Sequence, residues 1–151
     1  DQEFGIRFLR VEDWARQIKR GREIDDDTYL SQVFEAIEAG VRDSLKSANE
    51  IVFESTGLTP YFDRMLENLQ SDFCVKTIYI NAQADTCLAR VKSRDLSIHI
   101  DVSDEQVNMI NEKVVERAFR ADFRIENENK SRDEIVRDLT DICAKHTLSD
   151  D

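Results

Sequence analysis

Residues 50–60, "EIVFESTGLTP", set three consecutive apolar side chains, Ile51, Val52 and Phe53, directly against Glu54, Ser55, Thr56 and Gly57. An uninterrupted apolar run of this length reads as a strand buried on both faces, the habit of a parallel sheet covered by helices. Open sheets of that kind bind ligands beyond the carboxyl ends of their strands. The carboxylate, the two hydroxyls and the glycine therefore stand where ligand contacts are expected. Glu54 is read as a general base or magnesium-shell carboxylate, or as a cap on the next helix.

Upstream, Leu30, Val33, Phe34, Ile37, Val41 and Leu45 form one apolar stripe at helical spacing. The aspartates of "GREIDDD" (21–27) precede that stripe, where the helix dipole favours negative charge. "FGIRFL" (4–9) predicts a short strand and "VEDWARQIKR" (11–20) a helix. Downstream, Pro60 suits a first helical position ahead of "YFDRMLENLQ". "FCVKTIYIN" (73–81) predicts a second strand, "ADTCLARVKSR" (84–94) a helix and "DLSIHIDV" (95–102) a loop. Ser103 and Gln106 form a capping box opening a helix to about Arg120. "DFRIEN" (122–127) predicts a strand, and Ser131 starts a last helix on which Ile135, Leu139 and Ile142 share a face. The tail "TLSDD" (147–151) is expected to fray. Strands alternating with helices at this spacing imply right-handed crossovers, a parallel sheet and a three-layer α/β fold in a single domain.

Composition narrows the function. The 151 residues are enough for one domain with a core. Lysine and arginine number 21 against 32 acidic residues, a net charge of −11 that repels nucleic acid and anionic membranes. An anionic ligand must then be held by a local group of arginines. Cys74, Cys87 and Cys143, with only His99 and His146 as histidines, show no zinc or disulfide spacing, and reduced core thiols of a cytoplasmic protein are expected. No apolar run approaches the roughly 18 residues of a membrane span. Trp14 is read as a core anchor more readily than as a base-stacking platform.

Three stretches together resemble the P-loop kinases of nucleotides and small metabolites, most closely the nucleoside monophosphate kinases of the adenylate kinase type. In "FGIRFLRVEDWAR", Asp13 and Arg16 match that family's aspartate and the arginine that grips the acceptor's phosphate, with Glu12 where the family carries glycine. "EIVFESTG" resembles the strand lining the acceptor pocket, without the family's proline and arginine; Ser55, Thr56 and Gly57 would line it and suit a sugar or alcohol. "CVKTIYINAQADTCLARVKSRD" resembles the fourth strand, its helix and the Arg-x-x-x-Arg start of the lid. The resemblance implies an acceptor-binding region at about 11–48 and a lid at about 90–102. It also implies that Arg90 lies against the adenine and phosphates of ATP and that Arg94 reaches the phosphoryl group in flight. Asn127 and Asn129 would lie in the turn beneath the adenine ring.

The implied activity is transfer of the γ-phosphoryl group of ATP, with Mg²⁺, to a nucleotide, nucleoside or other small hydroxylated metabolite. Such chemistry rests on positioning and on neutralising charge, a task that arginine forks meet. It also needs a cradle of backbone amides, and none of the four glycines precedes a lysine. The resemblance therefore implies a strand, phosphate loop and helix of roughly 25 to 40 residues before Asp1. Without that strand, central in the family, the sheet is expected to split. The alternatives are a non-catalytic nucleotide- or partner-binding domain that retains the scaffold, and an oligomerising structural domain.

Overall fold

A computed structural model describes residues 4–21, 23, 26–97 and 99–147. Asp25, from the expected helix-start cluster, and the tail beyond Thr147 fall outside these residues. The chain is α/β and divides into two compact units, one of residues 1–74 with 95–101, the other of 75–94 with 102–151. Each unit contains one pair of parallel strands.

In the first unit, β1 (Arg7–Leu9) pairs with β2 (Ile51–Phe53) in the register Arg7 to Ile51, Phe8 to Val52 and Leu9 to Phe53. Between them run α1 (Val11–Lys19) and α2 (Asp27–Ser44), and α3 (Pro60–Asp72) follows. Asp26 caps α2 by accepting from the Tyr29 amide at 2.6 Å, and Thr59 caps α3, with Pro60 in its first turn. The stripe on α2 buries Val33, Ile37 and Val41, joined by Tyr29, against Phe62, Met65 and Leu69 of α3. The Phe34 and Phe62 rings meet edge to face at 6.5 Å. Trp14 of α1 lies so close over Gly40 of α2 that a Cβ there would fall 2.4 Å from its Cζ2. Trp14 is thus a helix-packing anchor, and Gly40 is the position that admits it. The strand β2 is less covered than its apolar run implied. Ile51 and Phe53 are half-buried while Val52 is 42% exposed, because on a two-stranded ribbon the face bearing Val52 and Phe8 has no helix over it among the described residues.

In the second unit, β3 (Ile78–Asn81) pairs with β4 (Phe123–Glu126), Ile78 facing Phe123 and Asn81 facing Glu126. The crossover holds α4 (Ala84–Lys92) and α5 (Asp104–Arg117), and α6 (Arg132–Thr147) closes the chain. Ser103 and Gln106 form the expected capping box, and Ser131 with Glu134 forms a second. The strand expected at 73–81 begins only at Ile78, since the ladder can be no longer than its four-residue partner. Residues 73–77 stay outside it, and Cys74 is exposed rather than a core thiol; Cys87 and Cys143 are half-buried. The helix α5 stops at Arg117, three residues short of expectation, because Ala118 turns into the left-handed region at φ 47°. Among the described residues, no helix is long and apolar enough to cross a membrane.

Candidate functional site

Arg16 lies on α1 and Glu54 to Gly57 follow β2, so the residues assigned to the acceptor share the first unit. Arg16 donates through Nη2 to the Ser97 carbonyl at 2.9 Å. One turn earlier on α1, Glu12 accepts twice from the same segment, from the Ile100 amide at 2.6 Å and opposite His99 Nδ1 at 2.8 Å. The 95–101 segment is therefore strapped to α1 by residues more than 80 positions away. Behind the strap, the Tyr29 hydroxyl donates to the Ala15 carbonyl, and burial, with the nearby Glu12 charge, raises its pKa.

Strap and helix end border a shallow, open hollow of about 360 Å³ lined by Arg16, Lys19, Arg20, His99 and Asp101. Arg20 ends α1 in the left-handed conformation, φ 39°, which turns its backbone toward Gly21 at φ 82°. Cations at a helix carboxyl terminus are favoured by the dipole alone. Three of them within five residues, none in an ion pair among the described residues, exceed what a dipole needs.

The other acceptor-side residues are less gathered. Asp13 is exposed and lies 4.0 Å from Arg10 Nε. Glu54 and Thr56 are exposed; Glu54 does not cap α3, a task that falls to Thr59. Ser55 Oγ accepts from the Gly57 amide at 3.2 Å, closing a small turn. Gly57 is buried at φ 65°, with its α-carbon facing the Phe62 ring, so it shapes the turn after β2.

On the second unit the structure joins two of the donor-side residues. Arg90 Nη2 donates to the Asn127 carbonyl at 3.1 Å, tying α4 to the turn after β4. Glu128, which sequence reasoning missed, supports the same corner by accepting from the Gln83 amide at 2.9 Å and from Thr86 Oγ1 at 2.8 Å. Those bonds, with the Arg90 charge, hold its carboxyl below the usual range. Asn129 takes a left-handed φ of 55°, as asparagine tolerates. Arg94, just past α4, is exposed and has no side-chain partner among the described residues.

No three metal-ligating side chains come together among the described residues. A kinase magnesium ion needs only one or two carboxylates besides the substrate phosphates, and Glu54 is accessible for that. The triphosphate cradle does not fit these residues, for no glycine is followed by lysine. No family model, curated protein or solved structure matches this chain.

Proposed function

We propose that the protein is a phosphotransferase that moves the γ-phosphoryl group of ATP, with Mg²⁺, onto a nucleotide, nucleoside or other small hydroxylated metabolite. On this reading its α/β fold is of the P-loop kinase type. The observation that carries the proposal is the hollow beside α1, where Arg16, Lys19 and Arg20 turn three unpaired cations toward one space in a chain of net charge −11. A phosphate suits that space because three cations outnumber its one carboxylate, Asp101, and Lys19 and Arg20 keep their donors for a ligand while Arg16 spends one on the Ser97 carbonyl. Arg16 and Asp13 then serve the acceptor with Ser55, Thr56 and Gly57, and Glu54 takes the hydroxyl proton or the metal. Arg90, Asn127 and Asn129 hold the adenine end of ATP, and Arg94 meets the charge developing on the transferred group. The reading needs a glycine-rich phosphate loop from residues other than these 151.

Turnover of ATP against a panel of nucleosides, nucleotides and sugar-like alcohols tests it directly. In the active protein, Arg94→Ala should lower kcat by about 100-fold or more while ATP affinity changes little, the mark of a group acting in the transition state. An unchanged kcat removes Arg94 from the chemistry. A second reading, a binding domain without catalysis, is favoured by the exposure of Glu54 and by the bond from Arg16 to Ser97. ATP binding with no turnover of any acceptor would select it.

A further inference from the structure

The second unit contains a larger concavity, about 590 Å³, that uses none of the residues assigned to donor or acceptor. That volume is typical of small-molecule sites, which are mostly apolar with a few placed polar groups. Its walls are Tyr79 and Asn81 of β3, Phe123 and Arg124 of β4, and Phe119 and Arg120 from the connection after α5. Tyr79, Phe119, Arg120 and Arg124 therefore border one space, while Phe123, next to Arg124 along β4, projects its ring to the opposite face of the ribbon with Ile125.

Strand register explains part of the gathering. Tyr79 and Arg124 are direct partners across the parallel pair and project to one side. Arg124 lies over the Tyr79 ring at 4.5 Å and donates to Glu126 at 3.3 Å. The left-handed turn at Ala118 supplies the rest, since it ends α5 and turns the chain toward Phe119, Arg120 and β4. Helices usually make this turn with glycine. An alanine held there is a conformational outlier, of the kind that collects at ligand sites.

Arg120 is exposed and makes no hydrogen bond or ion pair among the described residues. No acidic residue lines this space directly, but Glu126, on the same strand face, accepts from both Asn81 and Arg124, so Arg120 is the cation left for a ligand. Aromatic walls with cationic edges select a planar ring through its faces and an oxyanion through the guanidinium fork.

We infer that this concavity binds a small planar aromatic molecule bearing one oxyanion, a phosphate or a carboxylate. The ring lies between Phe119 and the edge of Tyr79, whose face Arg124 covers, and the oxyanion meets Arg120.

The test uses the full chain and four probes by calorimetry: 1-naphthyl phosphate, 1-naphthoate, neutral 1-naphthalenemethanol and inorganic phosphate. At least one naphthyl anion should bind with a Kd on the order of 10⁻⁴ M, and the tighter of the two names the source of the oxyanion. Naphthalenemethanol and inorganic phosphate should each bind at least about tenfold more weakly. Arg120→Gln should weaken the anion by about tenfold. Val115→Glu adds a like charge at a wall position that is 75% exposed, so the fold tolerates it, and it should weaken the anion similarly. Amide shifts in NMR spectra should cluster at Tyr79, Ala118 and Phe119. The inference is overturned if neither naphthyl anion saturates below about 5 mM. Equal binding of the neutral probe, or unchanged affinity in both variants, overturns it as well.

Discussion

The two units are built from the same plan and filled differently. Each has a parallel strand pair with two helices in the crossover and a third helix after it. The second has the longer ladder, four residue pairs against three. Yet of the nine buried apolar side chains described, seven belong to the first unit: Tyr29, Val33, Ile37, Val41, Phe62, Met65 and Leu69. The second contributes Val107 and Ile125, and leaves Ile80 at 57% and Val115 at 75% exposure. Strand pairing and core formation are thus separable. Backbone hydrogen bonds contribute little net stability because water offers them too, whereas apolar burial is what offsets chain entropy. The first unit rests on helix-to-helix burial, and the second has less of it, with polar bonds fixing its corners.

That contrast can be broken by mutation. Leu69→Ala removes a fully buried side chain from between α2 and α3 and should destabilise the first unit by about 2–5 kcal/mol. Val107→Ala in the second unit removes two methylenes' worth of burial and should cost about 1.5 kcal/mol. Hydrogen exchange followed unit by unit separates the two, and equal losses would show that the difference in burial has no energetic weight.

Gly40→Ala sharpens the same picture. A helical Gly→Ala change gains about 1 kcal/mol by propensity, but here the new methyl meets the Trp14 ring. Overpacking of that kind costs about 1–3 kcal/mol, so the net change should be a modest loss with a shift in tryptophan emission. Trp14 is the chain's one tryptophan, so the signal is unambiguous. A stabilised variant with unchanged emission would mean that the two helices part at no cost.

The smallest effect concerns the polar corner of the second unit. Partial burial would raise the Asp122 carboxyl, but hydrogen bonds from the Thr77 amide at 2.8 Å and hydroxyl at 2.9 Å, with the Lys76 charge, outweigh it. Its folded pKa is depressed, so its stabilisation is present above the ordinary aspartate value of about 4 and is lost as pH falls through the folded pKa. Asp122→Asn should lower the second unit's stability near neutrality and converge with the parent in acid. The first unit should show no difference between the two proteins, and parallel pH curves for the second would remove the corner from the account.

Much of this fold was legible because its signals are local. The α2 stripe, the proline opening α3 and the Ser103 capping box each lie within a few residues, and each forms as expected. The strand at 73–81 was overextended because composition cannot report how long a partner is. The site was legible only where chain order brings residues together, as with Arg90 and the Asn127 turn. Glu12 with His99, Trp14 over Gly40 and Arg124 over the Tyr79 ring were invisible, since no short-range pattern encodes contacts tens of residues apart. Glu54, read as a general base, a magnesium-shell carboxylate or a cap on α3, is exposed because β2 ends on an uncovered ribbon, and Thr59 makes the cap.

The double grip of Glu12 on His99 and Ile100 also decides how this chain can be taken apart. The first unit borrows seven residues from beyond position 94, so no single scission separates the two bodies. A fragment ending at Cys74 would leave the Glu12 carboxylate facing solvent where a backbone amide had been. Dissection of this molecule needs a short companion peptide as well as a cleavage site.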